Sequence, residues 1–210
     1  MKTKTILTLA LLVLTVWGTF GATAPVLAAA DPLSADETAG LVFMREEEKL
    51  AHDVYVTLYQ KWGMPVFNNI ASSEATHTSA VKVLLDRYGI ADPAAGKSVG
   101  QFTDPNLQKL YDQLIEQGSR SLGDALKVGA AIEEIDILDL QTRLAQTDKT
   151  DIKLVYNNLK NASYNHLRAF VSTLQRQTGE IYSVQYLDET TYTSIVADSS
   201  QPGGRRWGRK

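Results

Sequence analysis

The stretch IASSEATHTSAV, Ile70 to Val81, holds one of the chain's three histidines, three residues after a glutamate. On an α-helix that spacing is nearly a full turn, so Glu74 and His77 leave the same face. Phe67, Ile70, Val81 and Leu85 fall on that face as well. A carboxylate and an imidazole therefore point where the apolar side chains point. Taken alone, such a pair is a hydrogen-bonded polar contact at the edge of packing. Joined by others of its kind, it is half of a metal site.

The others exist. In MREEEKLAHDVYVTLYQKW, Glu48 shares a line with Met44, Ala51, Tyr55 and Trp62, and Glu47 shares the adjoining line with Phe43, Leu50, Val54 and Leu58. Periodicity does not choose between the two glutamates. In LGDALKVGAAIEEIDILDLQTRL, Glu133 lies mid-way along an apolar row of Leu122, Leu126, Ala130, Ile137, Leu140 and Leu144, with Asp136 at its margin and Glu134 more to the side. A fourth segment aligns Val155, Leu159, Ala162, His166, Phe170 and Thr173, with Ser163 one turn before His166. His52 falls near the Glu48 line and is expected at the rim or exposed. Burying a carboxylate costs several kcal/mol unless it is paired or coordinated. Few Lys or Arg share these stripes, so a divalent cation is the natural counter-charge for Glu48, Glu74 and Glu133. His77 and His166 would supply nitrogen ligands.

Four long helices must position these groups. The pattern predicts helices over about Ser34–Trp62, Val66–Tyr88, Ser121–Gln146 and Asp151–Thr178, punctuated by Gly63, Gly89 and Gly179. Between the second and third long helices, GIADPAAGKSVGQFTDP carries two prolines that forbid a continuous helix. A short helix follows, from Pro105 to Gly118. The segment after Gly179 is rich in Tyr and Thr and is expected to be irregular, with one turn at Glu189–Val196. The expected fold is all-α: an up-down four-helix bundle with a long crossover between its second and third helices that carries a short extra helix.

The bulk numbers agree with one globular domain over residues 31–198: 210 residues, 44% hydrophobic and 21% charged. Residues 1–30 have the build of a secretory signal: Lys2 and Lys4, an apolar run from Ile6 to Trp17, and Ala28, Ala29 and Ala30 before Asp31. Export to a periplasmic or extracellular space is the expectation, with no membrane span after cleavage. There is no cysteine, hence no disulfide and no thiolate metal site. Removing the two lysines of the leader takes the formal net charge from −3 to −5. Residues 199–210 end in GGRRWGRK, a basic tail expected to be disordered. An acidic body with so short a basic segment argues against a nucleic-acid partner. Metal ions are the expected partners, and a homodimer is an assembly open to such a bundle.

At these residues the sequence resembles the ferritin-like superfamily. EKLAHDVY, Glu48 to Tyr55, is similar to the Glu-x6-Tyr of a first ferritin-like helix, and EATH to the Glu-x-x-His of the second. Glu133 stands for the single Glu of the third. The fourth should repeat Glu-x-x-His but reads SYNH, with His166 present and Ser163 in the glutamate's place. The strings FMREEEKLAHDVY, ALKVGAAIEEIDILDL and NHLRAF look more closely like an uncharacterised ferritin-like domain family of bacteria and archaea. The resemblance implies one or two Fe or Mn ions, with Zn as a further candidate. Glu74 would bridge, Glu48 and His77 would serve one ion, and Glu133 and His166 the other. Tyr55 would be a hydrogen-bond partner of the ligands. Ser163 departs from the pattern. Asp136, Glu47 or Glu134 could supply the lost carboxylate, or the site could hold one ion or none. Two functions follow: an iron- or manganese-dependent redox protein acting with dioxygen or peroxide, or a metal-poor helical binding module of the cell envelope without catalysis.

Overall fold

In a computed structural model, residues 32–198 are described; the proposed leader and basic tail lie outside them. Six helices and no strand occur among the described residues: α1 (Ala35–Trp62), α2 (Pro65–Tyr88), α3 (Pro105–Gly118), α4 (Leu122–Ala145), α5 (Thr150–Thr178) and α6 (Glu189–Ala197). The class is all-α. No described helix is long and apolar enough to cross a membrane.

Local chemistry sets the ends. Ser34 Oγ accepts from the Glu37 amide while the Glu37 carboxylate accepts from the Ser34 amide, a capping box that starts α1. Gly63 closes α1 at φ 63°, a left-handed conformation that a side chain would strain. Pro65 opens α2 and Pro105 opens α3, where a missing amide hydrogen costs nothing. Side chains of Asp104, Ser121 and Asp188 cap α3, α4 and α6.

α1 packs chiefly on α2, and α4 on α5; α2 meets α5 and α1 meets α4 to bring the two pairs together. The short α3 lies across α1 and α4, and α6 rests on α5. The interior forms two apolar clusters. One contains Tyr55, Phe67, Ile70, Ala130 and Phe170; the other contains Met44, Val81, Leu140 and Leu159. Along every long helix the residues between the two clusters include the inward polar ones: Glu48, Glu74 with His77, Glu133 with Asp136, and Ser163 with His166. A polar layer thus divides the core.

The segment after α5 is more ordered than its composition suggests. Tyr182, Leu187 and Ile195 are buried, and the single expected turn is a nine-residue helix. Its anchor is Glu134. That fully buried carboxylate accepts from Tyr182 Oη at 2.7 Å and from the amides of Gln185, Tyr186 and Leu187.

Candidate metal centre

α2 contributes the middle of the polar layer. Glu74 is buried with its two oxygens turned to two different histidines. Oε2 lies 2.8 Å from His77 Nδ1, one turn along the same helix; Oε1 lies 2.8 Å from His166 Nδ1 of α5. His77 Nδ1 is also 3.2 Å from Glu48 Oε2 of α1, and His166 Nδ1 is 3.4 Å from Glu133 Oε2 of α4. Two sets result, Glu48–Glu74–His77 and Glu74–Glu133–His166, each with ligand atoms within 4.8 Å of one another and each wholly buried. Glu74 belongs to both.

The back of each imidazole is held by a residue that pattern reading missed. Ser73 Oγ is 3.1 Å from His166 Nε2 and 3.4 Å from His77 Nε2. A hydroxyl oxygen has two lone pairs, so it can accept from the Nε2–H of both rings and leave each Nδ1 to face the carboxylates. The rings stack at 5.6 Å between centroids. Ser73 stands one turn before His77, and that spacing was the available signal.

Tyr55 Oη donates to Glu133 Oε1 at 2.6 Å and lies 3.3 Å from the Gly129 carbonyl. Gly129 is needed for packing there: a Cβ would come within 2.5 Å of the Phe170 ring. Ser163 Oγ donates to Asp136 Oδ2 and sits 2.9 Å from the Leu159 carbonyl.

The other candidates face elsewhere. Three glutamates in a row step about 100° apart around α1, and all three are buried. Glu46 accepts from the amides of Thr103 and Asp104 ahead of α3. Glu47 lines a small apolar cavity with Leu50, Leu110, Ile132 and Ile135. Glu48 alone joins the histidines. Glu134 is spent on the C-terminal segment, one position and another face away from Glu133. His52 is half-buried beside Asp53, with Nδ1 to Oδ1 at 2.9 Å, and takes no part. Asp53 also pairs with Lys49, whose ammonium donates to the Ser98 carbonyl and sits over the Phe102 ring, tying the crossover to α1.

Protons do in this arrangement what a cation would do. Burial raises Glu48 well above the usual carboxylate range, raises Glu133 too, and lifts Asp136 to about 8 with help from the Glu133 charge. Burial disfavours charge on the histidines too, yet the facing carboxylates overcome it and raise His77 to about 11 and His166 to about 10. Burial works against ionised Glu74 as well, but the two imidazoles outweigh it and lower the group to about 2. The fit to a cation is carried by the polar atoms left over. Glu48 Oε1, Asp136 Oδ1 and His166 Nδ1 are buried with no hydrogen-bond partner. His166 Nδ1 is near two carboxylates but out of line for a hydrogen bond with either. Buried groups of this kind are normally satisfied, and these buried acidic and histidine groups could hold a metal ion.

The uncharacterized protein domain DUF2202 matches residues 37–199, which include every residue of the centre. This chain belongs to that family. It is 50% identical over 175 residues to the uncharacterized protein MJ0754 of Methanocaldococcus jannaschii, covering 83% of this chain and 94% of that protein. A crystal structure of the hypothetical protein MJ0754 from the same organism (there called Methanococcus jannaschii) is similar with a TM-score of 0.79 at 49% identity. The match covers 82% of this chain and 98% of that one. The DUF2202 family description names no activity.

Proposed function

We propose that this DUF2202 member is an exported ferritin-like carboxylate protein whose centre holds iron or manganese in redox chemistry with dioxygen or peroxide. The observation that carries the reading is the sharing of Glu74. One carboxylate offers each of its oxygens to a separate Glu–His set, which is how a bridging ligand is presented to two ions. Three carboxylates and two imidazoles are oxygen-rich and of intermediate hardness, a donor set suited to Fe or Mn and tolerated by Zn. A redox-active ion bound there would supply one-electron chemistry toward small oxidants.

The chain's own residues do the rest. Ser73 fixes the ring orientation of both histidines, and Tyr55 holds Glu133 by one oxygen so that the other faces His166. The two apolar clusters above and below the layer exclude bulk water, which strengthens every electrostatic contact within it. The order Glu48, Glu-x-x-His, Glu133, His166 over four long helices, with the crossover between the second and third, supports the ferritin-like assignment.

The test is metal content. Protein purified from cells grown with Fe and Mn, and apoprotein reloaded with each, should carry up to two ions per chain, and the melting temperature should rise with loading. A chain that takes up no Fe, Mn or Zn, and melts identically with and without them, fails the reading. The second reading, a helical binding module without catalysis, is favoured by Ser163, which stands where a second bridging glutamate would stand.

A further inference from the structure

We propose that Asp136, held by Ser163, is a sixth protein ligand of the centre and replaces the carboxylate that SYNH lacks. The proposal rests on the metal reading above.

Three acids compete for this role, and one is committed elsewhere. Glu134 gives its oxygens to four donors of the C-terminal segment. Glu47 lines the cavity between α1, α3 and α4 and belongs to neither Glu–His set; its Oε2 is also buried without a hydrogen-bond partner, but the Ser163 hydroxyl at the place of the lost carboxylate engages Asp136 and not Glu47. Asp136 is one turn beyond Glu133 on α4, buried, and within range of the charges of Glu133, Glu74, His77 and Glu48, members of both triads. It belongs to neither triad by itself. Its Oδ2 is engaged by the Ser163 hydroxyl, and its Oδ1 is buried without a hydrogen-bond partner. One oxygen is therefore oriented and the other left available, as expected of a ligating carboxylate held from outside.

Size makes the same point. Ser163 is itself buried and reaches only far enough from α5 to grip a group arriving from α4. An aspartate from α4 hydrogen-bonded to a serine on α5 puts a carboxylate beside position 163, where a glutamate at 163 would have put its own. The chain has moved the carboxylate across the helix pair rather than lost it.

The experiment measures Mn(II) bound per chain and its affinity, by equilibrium dialysis with elemental analysis. It compares wild type, Asp136→Asn, Ser163→Ala, Glu74→Gln and the double variant Asp136→Ala/Ser163→Glu. Metal-free melts check that each folds. Wild type should bind two ions. Asp136→Asn should weaken the second by about 10- to 100-fold, and Ser163→Ala by about 10-fold. The double variant returns a carboxylate from α5 and should recover both ions to within a few-fold. Unchanged Mn(II) affinity in Asp136→Asn and Ser163→Ala, with loss in Glu74→Gln, would overturn the proposal and leave the metal reading standing. Should Asp136→Asn fail to fold, Ser163→Ala and the double variant decide by the same criterion. A wild type without Mn(II) affinity sinks both.

Discussion

The two halves of the centre are built from the same residue types and are held differently. On the α1–α2 side, His77 Nδ1 is within hydrogen-bond reach of both Glu48 and Glu74. On the α4–α5 side, His166 sits at ion-pair distance from Glu74 and Glu133 but is aligned with neither; Tyr55 orders Glu133 from behind instead. The first half satisfies its histidine within a pair of helices and leaves only Glu48 Oε1 without a partner. The second is oriented by surrounding residues and awaits a partner at His166 Nδ1. A pair closed by hydrogen bonds is a stability element as much as a site, whereas a set left open is costly unless something fills it.

The strongest way to break this comparison is to remove what the halves share. Glu74→Gln should abolish tight binding of both ions, a loss of at least about 100-fold at each, measured by dialysis. If one ion persists at wild-type affinity, Glu74 does not bridge.

Next come the two histidines separately. His77→Ala leaves Glu48 and Glu74 buried without their donor, and should cost the metal-free protein about 3 kcal/mol in urea unfolding. His166→Ala removes a buried ion-pair partner of Glu74 and Glu133 that is not aligned as a hydrogen-bond donor, and Tyr55 still donates to Glu133, so it should cost less, about 2 kcal/mol. Each should lose one ion. Equal costs would show that the two halves are held alike.

Acidity sharpens the contrast between metal-free and loaded protein. His77, His166 and Asp136 bind protons more tightly folded than unfolded, so their contribution is present at low pH and falls as pH rises. For Asp136 the loss runs from about pH 4 to 8, and for the histidines from about 6.5 to 10–11. Glu74 acts oppositely, contributing above about pH 4.5 and losing its share toward pH 2. Metal-free stability should therefore decline from mildly acid to alkaline pH. Ion binding displaces protons, so the gain in melting temperature on adding Mn(II) should widen over the same range. Thermal melts at pH 5 and 8, with and without Mn(II), check the sign.

Smaller effects test the supports. Tyr55→Phe should weaken only the Glu133-side ion, by about 10-fold, because it removes one hydrogen bond behind one ligand. Gly129→Ala forces the Phe170 ring aside and should cost about 2 kcal/mol in stability. Affinity measurements that show the Glu48 side responding as strongly to Tyr55→Phe would erase the distinction between the halves.

Much of this was legible in the amino-acid order. Helical period, proline positions and closing glycines mark the four long helices to within a few residues, because capping and steric rules act locally. The same period put Glu48, Glu74, Glu133, His77 and His166 on apolar stripes, and all five are buried together. Local rules could not separate Glu46, Glu47 and Glu48. Each is inward enough to be buried, and what divides them is which neighbour lies opposite: the α3 entry, the α3–α4 cavity, or α2. Glu134 and the C-terminal segment were misjudged for the same reason, since a Tyr/Thr-rich stretch acquires its order from a carboxylate about 50 residues earlier. Ser73 had only its one-turn spacing to His77 as a signal, and Asp136 and Ser163 stood as separate candidates that sequence could not pair. A serine's role as a clamp depends on what another helix brings to it, and only the packing of α4 and of α2 against α5 decides that.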